Sequence, residues 1–323
     1  MIRPAKVIAF LFALLSLAFA PLLQAQTPAT SKKPAIQKST PTQFIRLQRD
    51  EKNQPIALET AIVRYGPAGG QGDMTVDLVG AVHIGDKEYY KKLNKQFQQY
   101  DVVLYELVAQ PGTVIPKGGR KKDDPLSLIM QVVKMALDLE LQTERIDYTK
   151  KNFVHADLSP EQMAEAIQKR GDDGLTLILG FTADLLRQEN LRELQAKEKP
   201  KAKAPGSDDV DIFSLLLDPD GPVKLKRMLA EQLQNLEGGG LGPTLNNILI
   251  SDRNEAALKV FQKELAKGKK KIGIFYGAAH LPDFEKRLRE DFGLKRDSDR
   301  WLTAWDMRVK KNGIEELFKL LGQ

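Results

Sequence analysis

Two histidines offer the most legible chemistry in this chain. His83 lies in VDLVGAVHIGDKEYYKKL (Val76–Leu93) and His280 in IGIFYGAAHLPDFEKRL (Ile272–Leu288). Each has a glycine three residues before it (Gly80, Gly277) and an aspartate three residues after it (Asp86, Asp283). The chain holds only three histidines and 24 glycines in 323 residues, so a spacing shared by two of the three has weight. In both stretches an apolar run ends at the glycine and a helix-like run follows. Each histidine is therefore expected just past the C-terminal end of a strand, the edge at which open α/β sheets bind ligands. A glycine there lets the backbone turn sharply and approach a ligand. If the two strands are neighbours, both imidazoles face one crevice, and neutral imidazole is the commonest protein metal ligand. The plainer reading is two loop histidines that cap or hydrogen-bond locally.

Glu106 is the third signal. It sits inside Val102–Val108, an apolar stretch read as a buried strand. A carboxylate there is costly unless it is paired, hydrogen-bonded or bound to metal. The alternative is an edge strand that turns Glu106 to water. Burial would raise its pKa towards that of a general base, and a cation beside it would lower it again. His155, in FVHADLS, is either a satisfied histidine near a strand end or a third ligand or substrate-orienting group. Asp157 reads as a cap or turn former. Arg253, in SDRNEAAL, opens a helix, where its charge opposes the macrodipole. Glu255, an anionic substrate group or the active-site carboxylate would have to compensate it, and Asp252 reads as the N-cap.

The elements that must position these residues follow from hydrophobic period and turn chemistry. Phe44–Arg49 and Ile56–Tyr65 read as an N-terminal β-hairpin. Met74–Val79, a helix begun by Asp86, and Asp101–Val108 read as a βαβ unit with parallel strands paired to each other. A helix from Asp124-Pro125 to about Glu140 is apolar on most sides and expected to be buried. A short strand should end near His155, and Ser159-Pro160-Glu161-Gln162 looks like a capped helix start. Residues 171–249 read as a helical insertion, and a lid over the site is its sharper interpretation. A helix over Ser251–Lys267, a strand over Lys271–Tyr276 and a helix over Pro282–Phe292 come next. Trp301, Thr303 and Trp305 should share one face of a late strand, and Gly313–Leu321 should close the chain as an amphipathic helix. The fold class expected is α/β, a central mixed sheet with flanking helices, the hairpin and the insertion.

Composition narrows the function classes. There is no cysteine, which excludes disulfides and thiolate metal sites. The formal net charge of +6 lies largely in short lysine clusters without interleaved aromatics, so no nucleic acid is expected as partner. Arg3 and Lys6, the apolar run Val7–Ala20 and the break at Pro21–Ala25 form a secretory signal pattern over residues 1–25. Residues 26–43 read as a flexible linker, and 44–323 as the folded domain. The destination expected is secreted or periplasmic, with an uncleaved N-terminal anchor as the alternative. No later run approaches the length of a membrane span, so the cleaved protein is not expected to be integral to the membrane.

The order GAVH, then VVLYELV with Glu106, then a helix carrying Arg253, then GAAH resembles the TraB/GumN (TraB/PrgY) family. TIKI metalloproteases and erythromycin esterase-like hydrolases are grouped with it. The likeness spans roughly Phe44 to Arg308. It implies an α/β core, paired G-x-x-H motifs and an essential glutamate, and it carries over to His83, Glu106, Arg253 and His280. His155 lies outside the G-x-x-H pattern. The function expected is a secreted metal-dependent hydrolase acting on a peptide or small ester substrate. His83 and His280, with His155 as a further candidate, would hold a divalent cation (Mn, Co or Zn). Glu106 would be ligand or base, and Arg253 would steady an oxyanion or orient Glu106. The alternatives are a non-catalytic binder of peptide, haem or metal, and an assembly or export factor.

Overall fold

The structure, a computed structural model, describes residues 43–70, 72–119, 125–169, 218–237 and 250–309. The signal and nearly all of the linker, most of the insertion and the C-terminal helix expected from the sequence lie outside the described residues.

The chain opens with a hairpin, β1 (Ile45–Arg49) and β2 (Pro55–Pro67). Its turn is made by local side-chain chemistry. Asp50 Oδ1 accepts from the N–H of Lys52 (3.0 Å) and of Gln54 (2.8 Å), and Asn53 takes the left-handed conformation at φ 61°. Then come β3 (Thr75–Ala81), a short β4 (Ile84–Gly85), α1 (Lys87–Phe97) and β5 (Val102–Tyr105). Next are α2 (Pro125–Leu137), β6 (Glu140–Leu141), α3 (Gln142–Arg145), β7 (Phe153–His155) and α4 (Pro160–Lys169). Helix α5 (Gly221–Glu237) belongs to the insertion. The chain continues with α6 (Asp252–Ala266), β8 (Lys271–Gly277), a 3-10 turn over Ala278–His280, α7 (Leu281–Glu290) and β9 (Leu294–Asp306). The start of α4 is the reciprocal capping box expected: Gln162 N–H donates to Ser159 Oγ (3.2 Å) and Ser159 N–H to Gln162 Oε1 (2.9 Å).

The fold is the mixed α/β class expected. The main sheet runs β1-β2-β3-β8-β5-β7, with β9 also paired to β2. β3, β8, β5 and β7 are parallel, and β1, β2 and β9 run antiparallel to their partners. One edge of β2 is taken along residues 57–67 by β9. The other edge is shared, with β1 opposite residues 55–60 and β3 opposite residues 62–65. A second sheet is the short antiparallel pair β4 and β6.

Three expectations need correction. β3 and β5 are parallel but not adjacent, because β8 lies between them and pairs with both. Four apolar strands are buried best with the most apolar ones central, and β8 carries Ile272 and Ile274 on one face of the sheet and Phe275 on the other, all fully buried. Strand β5 stops at Tyr105, so Glu106 is the first residue past its C-terminal end rather than a mid-strand residue. Helix α2 is not buried all round: Val133 and Leu137 face the core, while Val132 and Met135 are exposed.

Candidate functional site

Parallel strands point their C-terminal ends the same way, so their trailing residues gather along one edge of the sheet. β3 leads to His83, β8 to Gly277 and His280, β5 to Glu106, and β7 to Asp157. The first turn of α6 adds Arg253 and Asn254 from above that edge. The register sets the two G-x-x-H segments side by side, with Gly80 opposite Tyr276 and Ala81 opposite Gly277. The condition that the two histidine-bearing strands be neighbours is therefore met.

Glu106 is nearly buried, and both of its carboxylate oxygens are occupied. Oε1 accepts from Arg253 Nη2 at 2.8 Å and Oε2 from the Gly277 N–H at 2.6 Å. Arg253 also grips Asp157, Nε to Oδ1 at 3.0 Å and Nη2 to Oδ2 at 2.6 Å. The Asp157 side chain is 0% exposed. One guanidinium thus serves two buried carboxylates, which resolves its conflict with the macrodipole of α6. Burial raises the Glu106 carboxyl, but Arg253, His280, His83 and the Gly277 N–H outweigh it and hold the group well below the usual carboxylate range. Burial likewise disfavours the Arg253 cation, and Glu106 and Asp157 reverse that, raising its pKa.

His280 is fully enclosed by its surroundings. Asn254 donates from Nδ2 to His280 O (3.0 Å) and to Asp283 Oδ2 (2.9 Å), so its Oδ1 is the acceptor for His280 Nδ1 at 2.7 Å. The ring proton is therefore on Nδ1 and the lone pair on Nε2. Nε2 lies 3.6 Å from Glu106 Oε1 and 3.4 Å from Arg253 Nη1. Tyr276 stacks edge-on against the ring at 5.1 Å and donates its hydroxyl to Ala156 O. Burial drives the imidazole pKa down to about 3; Glu106 opposes this, while Arg253 and His83 add to it. The ring is neutral at ordinary pH.

His83 is half-buried and lies within electrostatic reach of both Glu106 and His280. Its loop is clamped on three sides. Tyr89 and Tyr90 of α1 donate their hydroxyls to Gly80 O (3.0 Å) and Val82 O (2.9 Å). The Gln142 N–H donates to His83 O at 2.8 Å beside the β4–β6 pair. From β9, Trp305 Nε1 donates to Ile84 O (2.7 Å) and the Asp306 N–H to Asp86 Oδ2 (2.5 Å). Asp86 thus stands at the N-cap position of α1 without capping it.

The glycines of the two motifs act otherwise than expected. Gly277 has φ −49°, which any residue adopts, and its contribution is the N–H on Glu106. Gly80 makes room, since a Cβ there would lie 3.1 Å from Ala61 O and 3.3 Å from Leu281 Cδ1.

The structure brings together His83, Glu106, Arg253 and His280. His155 is engaged elsewhere, with Nε2 2.6 Å from Leu107 O and its ring against Tyr105, so the satisfied-histidine reading fits it. Asp157 is more than a turn former, because its bond to Arg253 crosses ninety-odd residues and leaves no local pattern to read. Asn254 was overlooked; an asparagine, a weak helix former, in the first turn of a helix was the available signal. As a metal site the donors fit in part. His280 is neutral and anchored through Nδ1, as metal-bound histidines are, and Glu106 is ionised. Arg253, however, holds Glu106 Oε1 and approaches His280 Nε2. No group of three or more His, Asp or Glu among the described residues is arranged to hold a metal ion. In this arrangement Arg253 faces the oxygen and the nitrogen that a cation on Glu106 and His280 would take.

Comparison with protein-family models, curated proteins and solved structures finds no match. Among the described residues no helix is long and apolar enough to cross a membrane.

Proposed function

We propose that this chain is a hydrolase that adds water to a carbonyl carbon in the crevice at the ends of β3, β8 and β5. One observation carries the reading. A carboxylate held ionised by a guanidinium and a main-chain N–H lies at the sheet edge where ligands bind, 3.6 Å from the His280 ring and within electrostatic reach of His83. His83 is the general base. It takes a proton from the water whose oxygen attacks the carbonyl carbon, and it returns that proton to the leaving nitrogen or oxygen as the C–N or C–O bond breaks. Glu106 stays ionised and stabilises the imidazolium that forms on His83, which requires a fixed charge rather than a proton acceptor. Arg253 orients Glu106. Neutral His280 turns its Nε2 towards Arg253 and Glu106. The resemblance to the TraB/GumN family supports hydrolysis, and the pattern of residues 1–25 supports a secreted or periplasmic location.

A second reading keeps a divalent cation (Mn, Co or Zn) on His83 and His280. The Nδ1 anchor of His280 on Asn254 favours it. A non-catalytic binder of peptide, haem or metal is the competing class. Purified protein incubated with a peptide library and chromogenic esters, with and without EDTA, separates the three. The expected result is cleavage insensitive to EDTA and lowered about 100-fold or more by His83→Ala. Cleavage abolished by EDTA and restored by one of the three metals selects the metal form. Ligand binding without cleavage, with affinity retained in His83→Ala, overturns the hydrolase in favour of a binder.

A further inference from the structure

Gln142 and Tyr148 adjoin this crevice without a role in it so far. The Gln142 main-chain N–H holds His83 O at 2.8 Å, and its side-chain Nε2 donates to Tyr148 OH at 2.8 Å. The Tyr148 ring packs against Tyr105, the residue before Glu106, with centroids 5.1 Å apart. The pair thus bridges the His83 loop and the end of β5. Gln142 is 6% exposed and Tyr148 8%. Gln142 Oε1 is buried and has no hydrogen-bond partner. A buried amide oxygen without a partner is costly, and native folds rarely leave one unless a ligand or an ordered water completes it. Tyr148 OH accepts from Gln142, so its own proton is left to donate. The pair therefore presents one acceptor and one donor close together. Turning the amide of Gln142 over exchanges the two roles and still leaves one of each. The Glu106 charge also reaches the Tyr148 hydroxyl, after burial the main influences on it being Gln142 and Glu106.

We infer that Gln142 and Tyr148 form a subsite that reads the main chain of one residue of an extended substrate, accepting that residue's N–H and donating to its C=O. The inference rests on the crevice being a substrate site, and it makes the substrate a peptide rather than an ester. An ester has the carbonyl but no N–H, so it leaves Gln142 unsatisfied, and a site built to bond a polar group discriminates against an analogue that lacks it.

The test uses the full chain in a His83→Ala background that does not turn over. Its probes are random hexapeptides and the same mixture made with one central backbone N–H replaced by an ester oxygen. Binding is read by equilibrium dialysis with mass spectrometry. The expected result is that peptides bind about 5-fold tighter than their ester counterparts, and that Gln142→Met brings the ratio close to one. A ratio unchanged in folded Gln142→Met, as when an internal water alone fills the position, overturns the inference. So does a chain that binds neither mixture. If Gln142→Met lacks the circular dichroism of the parent, Tyr148→Phe reads the same subsite: loss of affinity for both mixtures supports it, and retained affinity overturns it. Cleavage is scored separately with His83 in place. Bound peptides that are never cut, with the ratio behaving as expected, sink the hydrolase and leave the subsite standing. Peptides that are cut, with the ratio unmoved by Gln142→Met, do the reverse.

Discussion

Arg253 is the residue whose loss should cost this site most. It is the shared cation of two buried carboxylates, with side chains 10% and 0% exposed. Arg253→Met strands both charges, and removing one partner of a buried pair costs about 3–5 kcal/mol. Glu106→Gln is milder, on the order of 1–3 kcal/mol, because the neutral amide oxygen still accepts from Gly277 or Arg253 and Asp157 keeps its partner. Urea unfolding at pH 7.5 should rank the two in that order. The pH dependence has a definite sign. Both Glu106 and His280 are depressed in the fold, so the unfolded chain binds more protons in acid and stability falls as pH falls. The His280 contribution is complete above about pH 6.5, the unfolded value, and declines as pH falls towards its folded value of about 3. Glu106, beside Arg253 and His83, adds its loss below about pH 4.3. In His280→Phe the decline between pH 6.5 and 4.5 should flatten; an unchanged slope there would contradict the buried neutral ring. Glu106 and Arg253 were legible in the sequence because a charge in an apolar stretch or at the wrong helix end conflicts with its surroundings. Asp157 was not, since it is explained only by a partner on a distant segment, and Asn254 left only the weak signal of its place in the helix.

At the scale of elements, the His83 loop is held by α1, by the β4–β6 pair and by the end of β9. Trp305→Phe keeps the packing but removes the indole N–H from Ile84 O. Leaving that buried carbonyl unpaired should cost about 1–3 kcal/mol. If the clamp positions His83, turnover should fall further than binding, and hydrogen exchange over residues 82–86 should quicken while β8 stays protected. Equal protection in variant and parent would show that Trp305 only packs. The hairpin, the strand over Lys271–Tyr276 and the capping box at Ser159 were readable from period and turn chemistry, which act within a few residues. The place of β8 between β3 and β5 was not. A strand–helix–strand run looks the same whether or not a later strand enters between its members, and the choice is made by which strand buries best at the centre. Helix α2 misled for a related reason, because an all-apolar composition does not say how much partner surface it will meet.

For the whole molecule, that central strand comes late. β3 pairs with a segment nearly two hundred residues further on, and β9 then covers β2 from residue 57 to residue 67. A chain ended after residue 267 has lost the strand that joins β3 to β5, together with the N–H that anchors Glu106. It should show no cooperative thermal transition and no bound ligand, where the full chain shows one sharp transition by circular dichroism. A native-like transition in that fragment would mean that β3 and β5 close on each other without β8. The route of the chain between these strands has another consequence. It leaves the sheet at Asp157 and returns at Arg253, and those two residues are bonded to each other. The described helices between them, α4 and α5, lie within a segment closed at its neck by that bond. Lengthening such a loop costs little, since closure entropy grows only with the logarithm of its length. Its described helix α5 has ties of its own, Glu231 to Arg49 and Lys226 to Asp86, so cutting those ties should loosen α5 while the closed neck leaves the reacting groups in place.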